Sequence, residues 1–249
     1  MADANYETVR YLRQVALPGI GAQGQRRLRD AKIAVVGAGG IGAPALLYLA
    51  AAGAGEITVI DNGRVEESNL HRQIIFDTAD CGRPKAEAAA KRLRALNPSV
   101  KINALDSELS AENTRTLLAG HTLALDCTDN FPARRAVNAG CAALGLKYVY
   151  GAVYRYEGQL AVFDPAHGAC YECLYPETGD ERAGACEQCG VLGPLAGMIG
   201  AACAAEAIKL VAGMKETLAG RLWLFDALTY EGKVVNLRKN PHCKICCKP

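Results

Sequence analysis

The 249 residues balance 28 Lys and Arg against 26 Asp and Glu for a formal charge of +2. No basic stripe interleaved with aromatic residues stands out, so the composition argues against a nucleic-acid partner. Half of the chain is apolar, enough for one large α/β core, yet no apolar run reaches the roughly 18 residues of a membrane span, and no apolar leader opens the N-terminus. With eleven cysteines and no leader, the chain reads as cytoplasmic and membrane-free, its thiols free, metal-bound or redox-active.

Residues 5–30 read as polar, arginine-rich helix broken at Pro18 and Gly19, and they include Arg13. Ile33, Val35 and Val36 then form a short strand of buried type. Gly37, Gly39, Gly40 and Gly42 turn the chain into a helix over 41–52, and a second strand over 57–60 ends on Asp61. Strand, glycine turn, helix, strand and acid make a nucleotide-binding βαβ unit. The glycines let backbone approach phosphate oxygens, and the helix N-terminus offers them N–H groups and partial positive charge. Asp61 is placed to accept hydrogen bonds from ribose hydroxyls.

Residues 62–82 form a long polar loop leaving the carboxyl end of the second strand, where ligands of open α/β sheets sit. It contains Ser68, Asn69, Leu70, His71, Arg72 and Gln73 in succession. Pro84 opens a helix over 85–96 that Asn97 and Pro98 stop. A strand over 100–105, a helix over 110–118 begun by Ser-x-x-Asn, and a strand over 123–127 follow. The polar turn 126–130 leads into a helix over 131–144 and a strand over 148–153.

The alternation then ceases. A strand over 158–164, a cysteine-bearing segment over 170–189, an Ala- and Gly-rich buried helix over 194–211, and an antiparallel pair over 222–225 and 233–237 precede a cysteine-rich tail. The expected class is α/β: a Rossmann-like, mostly parallel sheet with helices on both faces, extended by antiparallel strands. No linker divides the chain. We expect one domain over 1–249, with an N-terminal helical segment (1–30), a nucleotide-binding half (31–153) and a second half (154–249).

Arg72, Lys85 and Asp129 follow strand ends. A dinucleotide oxidoreductase needs little cationic charge beyond its glycine turn, whereas reaction at a triphosphate does. Arg72 and Lys85 suit triphosphate oxygens, and Asp129 suits Mg2+. ATP is thus the expected nucleotide, with an NAD- or FAD-dependent oxidoreductase and a non-catalytic scaffold as competing readings. Three CxxC pairs are present: Cys170 with Cys173, Cys186 with Cys189, and Cys243 with Cys246. Two pairs complete a tetrahedral zinc site. The more local choice, Cys170/Cys173 with Cys186/Cys189, saves only about 1.5 kcal/mol of loop closure. Zinc binding is worth roughly ten times that, so the spacing leaves the pairing open. Cys81, Cys127, Cys141 and Cys203 read as small buried residues.

GAGGIG at 37–42, Asp61, SNLHRQ at 68–73, GRPKA at 82–86, ALNP at 95–98 and DCTDN at 126–130 together resemble the ubiquitin-activating-enzyme-like superfamily, and within it the small ThiF/MoeB/HesA branch of sulfur-carrier-protein adenylyltransferases. The likeness spans nearly the whole chain. It implies that ATP is a substrate: the C-terminal glycine carboxylate of a small ubiquitin-like carrier (MoaD/ThiS-like, ending in Gly-Gly) attacks the α-phosphorus, pyrophosphate leaves, and an acyl-adenylate awaits sulfur. Gly40 then lies against the phosphates and Asp61 holds the ribose. Ser68, Asn69, Leu70, His71, Arg72 and Lys85 engage the triphosphate, with Asp129 and Asn130 beside Mg2+ and the α-phosphate. Arg13 matches an arginine supplied by a partner subunit, implying a homodimer.

The same likeness implies that Cys170, Cys173, Cys243 and Cys246 hold a structural Zn2+ that staples the C-terminus, making the second half a carrier-binding and zinc half. Cys186 is left to handle sulfur, while Cys189 and Cys247 depart from the family pattern. Molybdopterin, thiamine and tRNA or secondary-metabolite thiolation all use this architecture. With no rhodanese-like segment after Pro249, the persulfide is expected from a separate donor such as a cysteine desulfurase or rhodanese.

Overall fold

The computed structural model describes residues 9–176 and 190–247. Its strands are β1 (Lys32–Val36), β2 (Glu56–Ile60), β3 (Lys101–Leu105), β4 (Leu123–Asp126), β5 (Tyr148–Tyr154), β6 (Glu157–Phe163), β7 (Arg221–Asp226) and β8 (Glu231–Asn236). They form one sheet in the order β3-β2-β1-β4-β5-β6-β7-β8. Pairing is parallel from β3 through β5 and antiparallel from β5 through β8. The chain order reverses between β1 and β4, so their carboxyl ends flank the crevice where such sheets take ligands.

The helices are α1 (Leu12–Val15), α2 (Gly21–Asp30), α3 (Gly42–Ala52), α4 (Lys85–Leu96), α5 (Thr114–Leu118), α6 (Phe131–Leu144), α7 (Tyr171–Leu174) and α8 (Gly193–Ala212). Helices α3, α4 and α8 cover one face of the sheet in an aliphatic core that includes Ile33, Val35, Leu46, Leu49, Ile57, Leu93, Leu195 and Ile199. Helices α5, α6 and α7 cover the other, where Val36, Leu118, Val137, Tyr148, Tyr150, Phe163 and Tyr171 meet. Helix α3 is apolar all round and is buried except along the stripe of Leu47, Tyr48 and Ala51. Helix α8 is long and apolar enough to cross a membrane by length and composition alone. Its buried side chains, Leu195, Ile199, Cys203 and Ala207 among them, lie instead in the aliphatic core.

Element positions agree with the sequence pattern to within a residue or two except before Pro18, where residues 5–8 lie outside the described ones and the helix is broken at Tyr11, and at 110–118, where only Thr114–Leu118 is helical. Asn113 explains the second difference. Its Oδ1 accepts from the Ser110 amide at 2.8 Å and its Nδ2 donates to the Glu108 carbonyl at 2.8 Å, a local loop that competes with helix. The four-residue α1 ends before the Pro18–Gly19 break and is pinned through neighbouring Tyr11. That buried hydroxyl accepts from Asn97 Nδ2 at 2.8 Å, and the same amide group reaches the Ala50 carbonyl at 2.7 Å.

Candidate active site

The glycine turn joins β1 to α3 at the switch point. Gly37 has φ +91°, and a Cβ there would lie 2.7 Å from the Cys127 carbonyl oxygen. A Cβ on Gly42 would collide with the Gly37 carbonyl. Both glycines are therefore demanded by the fold itself. Gly39 is different: a Cβ there meets nothing closer than Gln73 Nε2 at 3.8 Å, so protein packing does not account for it. Close approach of a ligand would.

Asp61 holds this turn in place. Its Oδ2 accepts from the Ala38 amide at 2.7 Å and its Oδ1 from the Gly63 amide at 2.8 Å. Each oxygen keeps a lone pair for a ribose hydroxyl. Lys85 opens α4; its amide donates to the Gly63 carbonyl at 2.9 Å, and its Nζ flanks Gly63 alongside Asp61 Oδ1. Lys85 makes no ion pair among the described residues.

The segment 68–73 folds back on itself over a short 3-10 turn at Glu67–Asn69. Arg72 donates from Nη2 to Asn69 Oδ1 at 2.7 Å and from Nη1 to the Ser68 carbonyl at 3.3 Å, and Nη1 lies 2.9 Å from His71 Nε2. Ser68 Oγ and Asn69 Nδ2 both donate to Glu66 Oε2. Leu70 packs against the aliphatic core, and the Arg72 stem borders Gly40. The expected phosphate ligands Ser68, Asn69, His71 and Arg72 thus form one hydrogen-bonded unit beside the glycine turn.

Beyond β4, Asn130 caps α6, accepting from the Ala133 amide at 2.9 Å. That leaves its Nδ2, which points at Asp129 Oδ1 at 3.4 Å, while Asp129 itself is exposed. Hard carboxylate oxygen at such a position suits Mg2+. Arg13 does not join this group. It is exposed on α1 and makes no hydrogen bond or ion pair among the described residues.

Four residues beside the site gain a role only from the structure. Gln73 is buried against Gly39 with Oε1 unpartnered among the described residues. Asp126 is fully buried, and burial pushes its carboxyl up despite the Arg134 guanidinium and the Thr128 hydrogen bonds that pull it down. Thr128 and Arg134 complete that contact. Gln73 closes the 68–73 run and Asp126 and Thr128 belong to the polar turn, whereas Arg134 has no sequence signal beyond its helix.

The four cysteines expected to hold zinc come together beside Asn138, one turn further along α6. The sulfurs of Cys170, Cys173, Cys243 and Cys246 lie within 4.8 Å of one another, the closest pairs at 3.5, 3.6 and 3.9 Å. Tetrahedral Zn–S bonds of about 2.3 Å require S···S near 3.8 Å, so the donor set fits zinc. Cys170 Sγ accepts from Asn138 Nδ2 at 3.7 Å and Cys173 Sγ from the Asn240 amide at 3.4 Å, as thiolates would. Cys247 stands apart, donating to the Asn240 carbonyl at 3.3 Å. Cys186 and Cys189 lie outside the described residues.

Cys127, Cys141 and Cys203 are buried as expected, and burial pushes each thiol up, which makes them inert. Cys81 corrects the expectation: it is exposed, because the chain around it forms a surface 3-10 turn at Thr78–Asp80. His121 bonds Thr58 Oγ1 at 2.9 Å and His167 contacts Asp164 at 3.0 Å, both structural roles.

Comparison with known proteins adds a full-length match. The ThiF family description fits residues 11–245. A sulfur carrier protein adenylyltransferase of Thermus thermophilus is 45% identical over 246 residues, covering 96% of this chain and 91% of that protein. A molybdopterin-synthase adenylyltransferase of Salmonella typhimurium is 41% identical over 244 residues and 98% of each chain. Among solved structures, Escherichia coli MccB with ATP has a TM-score of 0.79 at 22% identity over 91% of this chain and 70% of that one, a likeness of fold alone.

Proposed function

The chain belongs to the ThiF family, and from that premise we propose that it transfers the adenylyl group of ATP to the C-terminal glycine carboxylate of a small ubiquitin-like sulfur carrier, releasing pyrophosphate. The observation that carries this reading is the gathering of Arg72, Lys85 and Asp129 around a glycine turn whose Gly39 no protein contact explains. Near-full-length relatives named as adenylyltransferases support it.

The chemistry is mostly positioning and charge neutralisation. The carrier carboxylate attacks the α-phosphorus and the bond to pyrophosphate breaks. Arg72 and Lys85 offset the charge that builds on the leaving phosphates. Arg72 is pre-set by its bonds to Asn69 and Ser68, so little side-chain freedom is lost on binding. Asp61 fixes the turn through Ala38 and Gly63 and orients the ribose. Asp129 and Asn130 would hold Mg2+, which when bound supplies further neutralisation of the phosphates.

The exposure of Arg13 supports its use in trans, on the phosphates of a second copy within a homodimer. The four clustered cysteines would hold a structural zinc. A carrier ending in Gly-Gly, a separate sulfur donor, a cytoplasmic site of action and sulfur handling by Cys186 complete the reading.

The test is pyrophosphate exchange into ATP with purified ubiquitin-like carriers ending in Gly-Gly, followed by mass spectrometry of the carrier. An acyl-adenylate is expected, turning to thiocarboxylate only when a persulfide donor is added, and an adduct at Cys186 would establish its part. Full exchange by Arg72→Ala would overturn the assignment. NADH binding without exchange would return the chain to the oxidoreductases.

A further inference from the structure

Thr128 is gripped at three atoms by two charged residues that no nucleotide contact requires. Asp126, the last residue of β4, accepts on Oδ1 from the Thr128 amide at 3.1 Å and from its hydroxyl at 2.7 Å. Arg134, in the first turn of α6, donates from Nη2 to the Thr128 carbonyl at 3.2 Å. Its guanidinium sits 5.5 Å from the Tyr150 ring centre and 5.9 Å from that of Phe131, which fixes it laterally.

The other side of this backbone abuts the phosphate cradle. A Cβ on Gly37 would meet both the Cys127 carbonyl, at 2.7 Å, and the Thr128 amide, at 3.4 Å. Asp129 follows directly, tied to Asn130 at the start of α6. The turn is therefore wedged between the glycine turn and the buried charges.

Stability is a poor explanation for those charges. Asp126 Oδ2 and Arg134 Nε are buried with no hydrogen-bond partner among the described residues. Buried polar atoms left without partners cost their desolvation, so these two side chains contribute little net stability. What the pair does supply is a fixed height and tilt for the turn.

We propose that Asp126 and Arg134 are positioning residues for the adenylation site, holding the Thr128 turn against the glycine turn so that Asp129 meets the metal–triphosphate complex. The proposal rests on the reading of this crevice as an ATP site that uses a divalent cation. It predicts that the pair matters to the cation-dependent part of nucleotide binding and little to the rest, which the glycine turn, Arg72 and Lys85 supply.

Calorimetric titration of the full chain with ATP, once in EDTA and once with MgCl2, separates the two parts. Wild-type protein is expected to bind ATP more tightly with Mg2+. Arg134→Met should keep its affinity in EDTA and lose about tenfold of the Mg2+-dependent gain, the usual scale for removing a group that orients a metal ligand. Asp129→Ala should lose the same gain, and the double variant should be no worse than Asp129→Ala alone, since both act through one group. Arg134→Lys, which retains one donor, should recover part of it.

Equal weakening of Arg134→Met in both titrations, a full Mg2+ gain in that variant, or additive losses in the double variant would each overturn the proposal. Should Arg134→Met fail to fold, Thr128→Ala removes one grip from a turn residue and must show a smaller loss of the same kind; unchanged binding refutes the idea. If wild-type protein gains nothing from Mg2+, the cation reading of the crevice falls and the proposal with it. A wild-type gain that every variant keeps refutes the positioning role alone.

Discussion

Strands β1, β2 and β4 are buried along almost their whole length, whereas β8 is exposed at five of its six positions and β7 is buried at only two. The central strands carry helices on both faces, and their shape is fixed by aliphatic packing. The outer antiparallel strands lack that cover. There Cys170 and Cys173 come together with Cys243 and Cys246 across some seventy residues of sequence, where a zinc would staple the tail. The inner half of the sheet is thus secured by burial, whereas the outer half, at β8 and the tail, would lean on a point attachment.

Removing the attachment is the strongest way to break this contrast. Structural zinc in small domains contributes on the order of 10 kcal/mol at neutral pH, so Cys173→Ser or exhaustive chelation should produce the largest change. Hydrogen exchange is expected to accelerate in β7, β8 and residues 238–247 while β1, β2 and β4 stay protected. Equal loss of protection in both halves would erase the distinction.

Next in size is a change that leaves both halves folded. Arg72→Ala should lower carrier-dependent exchange of pyrophosphate into ATP by about 100- to 1,000-fold, the cost of deleting one well-placed donor to developing charge. Its thermal midpoint should stay at the wild-type value, because the guanidinium bonds only its own loop. A lowered midpoint would mean that the loop is part of the scaffold.

Smaller again is Asn130→Ala, which deletes the cap of α6. It should cost about 1 kcal/mol, or roughly 2–4 °C in a chain of this size, by thermal denaturation. A loss of activity far beyond that of a destabilised fold would show that the side chain also serves the phosphates.

The subtlest effect is a pH dependence. Burial raises the folded-state carboxyl of Asp126 above its unfolded value. The stability this gives is full below the unfolded pKa and is lost as pH rises through the folded one. Asp126→Asn cannot titrate, so its thermal midpoint should improve relative to wild type as pH is raised from acid to neutral. A difference that is flat with pH would mean that Arg134 compensates the charge completely.

Much of this arrangement is legible in the linear sequence, for a physical reason. The glycine turn, Asp61, the 68–73 run and Lys85 are local features whose spacing dictates their geometry, and helix ends at Asn130 and Gly145 are written in their capping residues. The choice among three CxxC pairs is a different matter, since loop entropy nearly cancels, and only the three-dimensional course of the tail brings Cys243 to Cys170. Asp126 and Arg134 are equally hard to read: eight positions apart, they meet only because a strand ends and a helix begins on either side of Thr128. Helix 110–118 is overcalled because Asn113 has a closer partner in Ser110 than a helix would offer. Arg13, exposed on α1, does not join the crevice of its own chain.

Helix α6 carries Arg134 and Asn138 four positions apart, the first bonded to the Thr128 turn and the second to Cys170 Sγ. Residues so spaced share one face and stand about 6 Å apart along the axis. The helix is therefore a ruler between the phosphate crevice and the sulfur cluster. Point substitutions along its outer face leave the ruler's length alone. A single residue inserted between the two marks would turn one against the other by about 100° and disconnect the two ends, so the interval, more than the composition between the marks, is the quantity that must be kept.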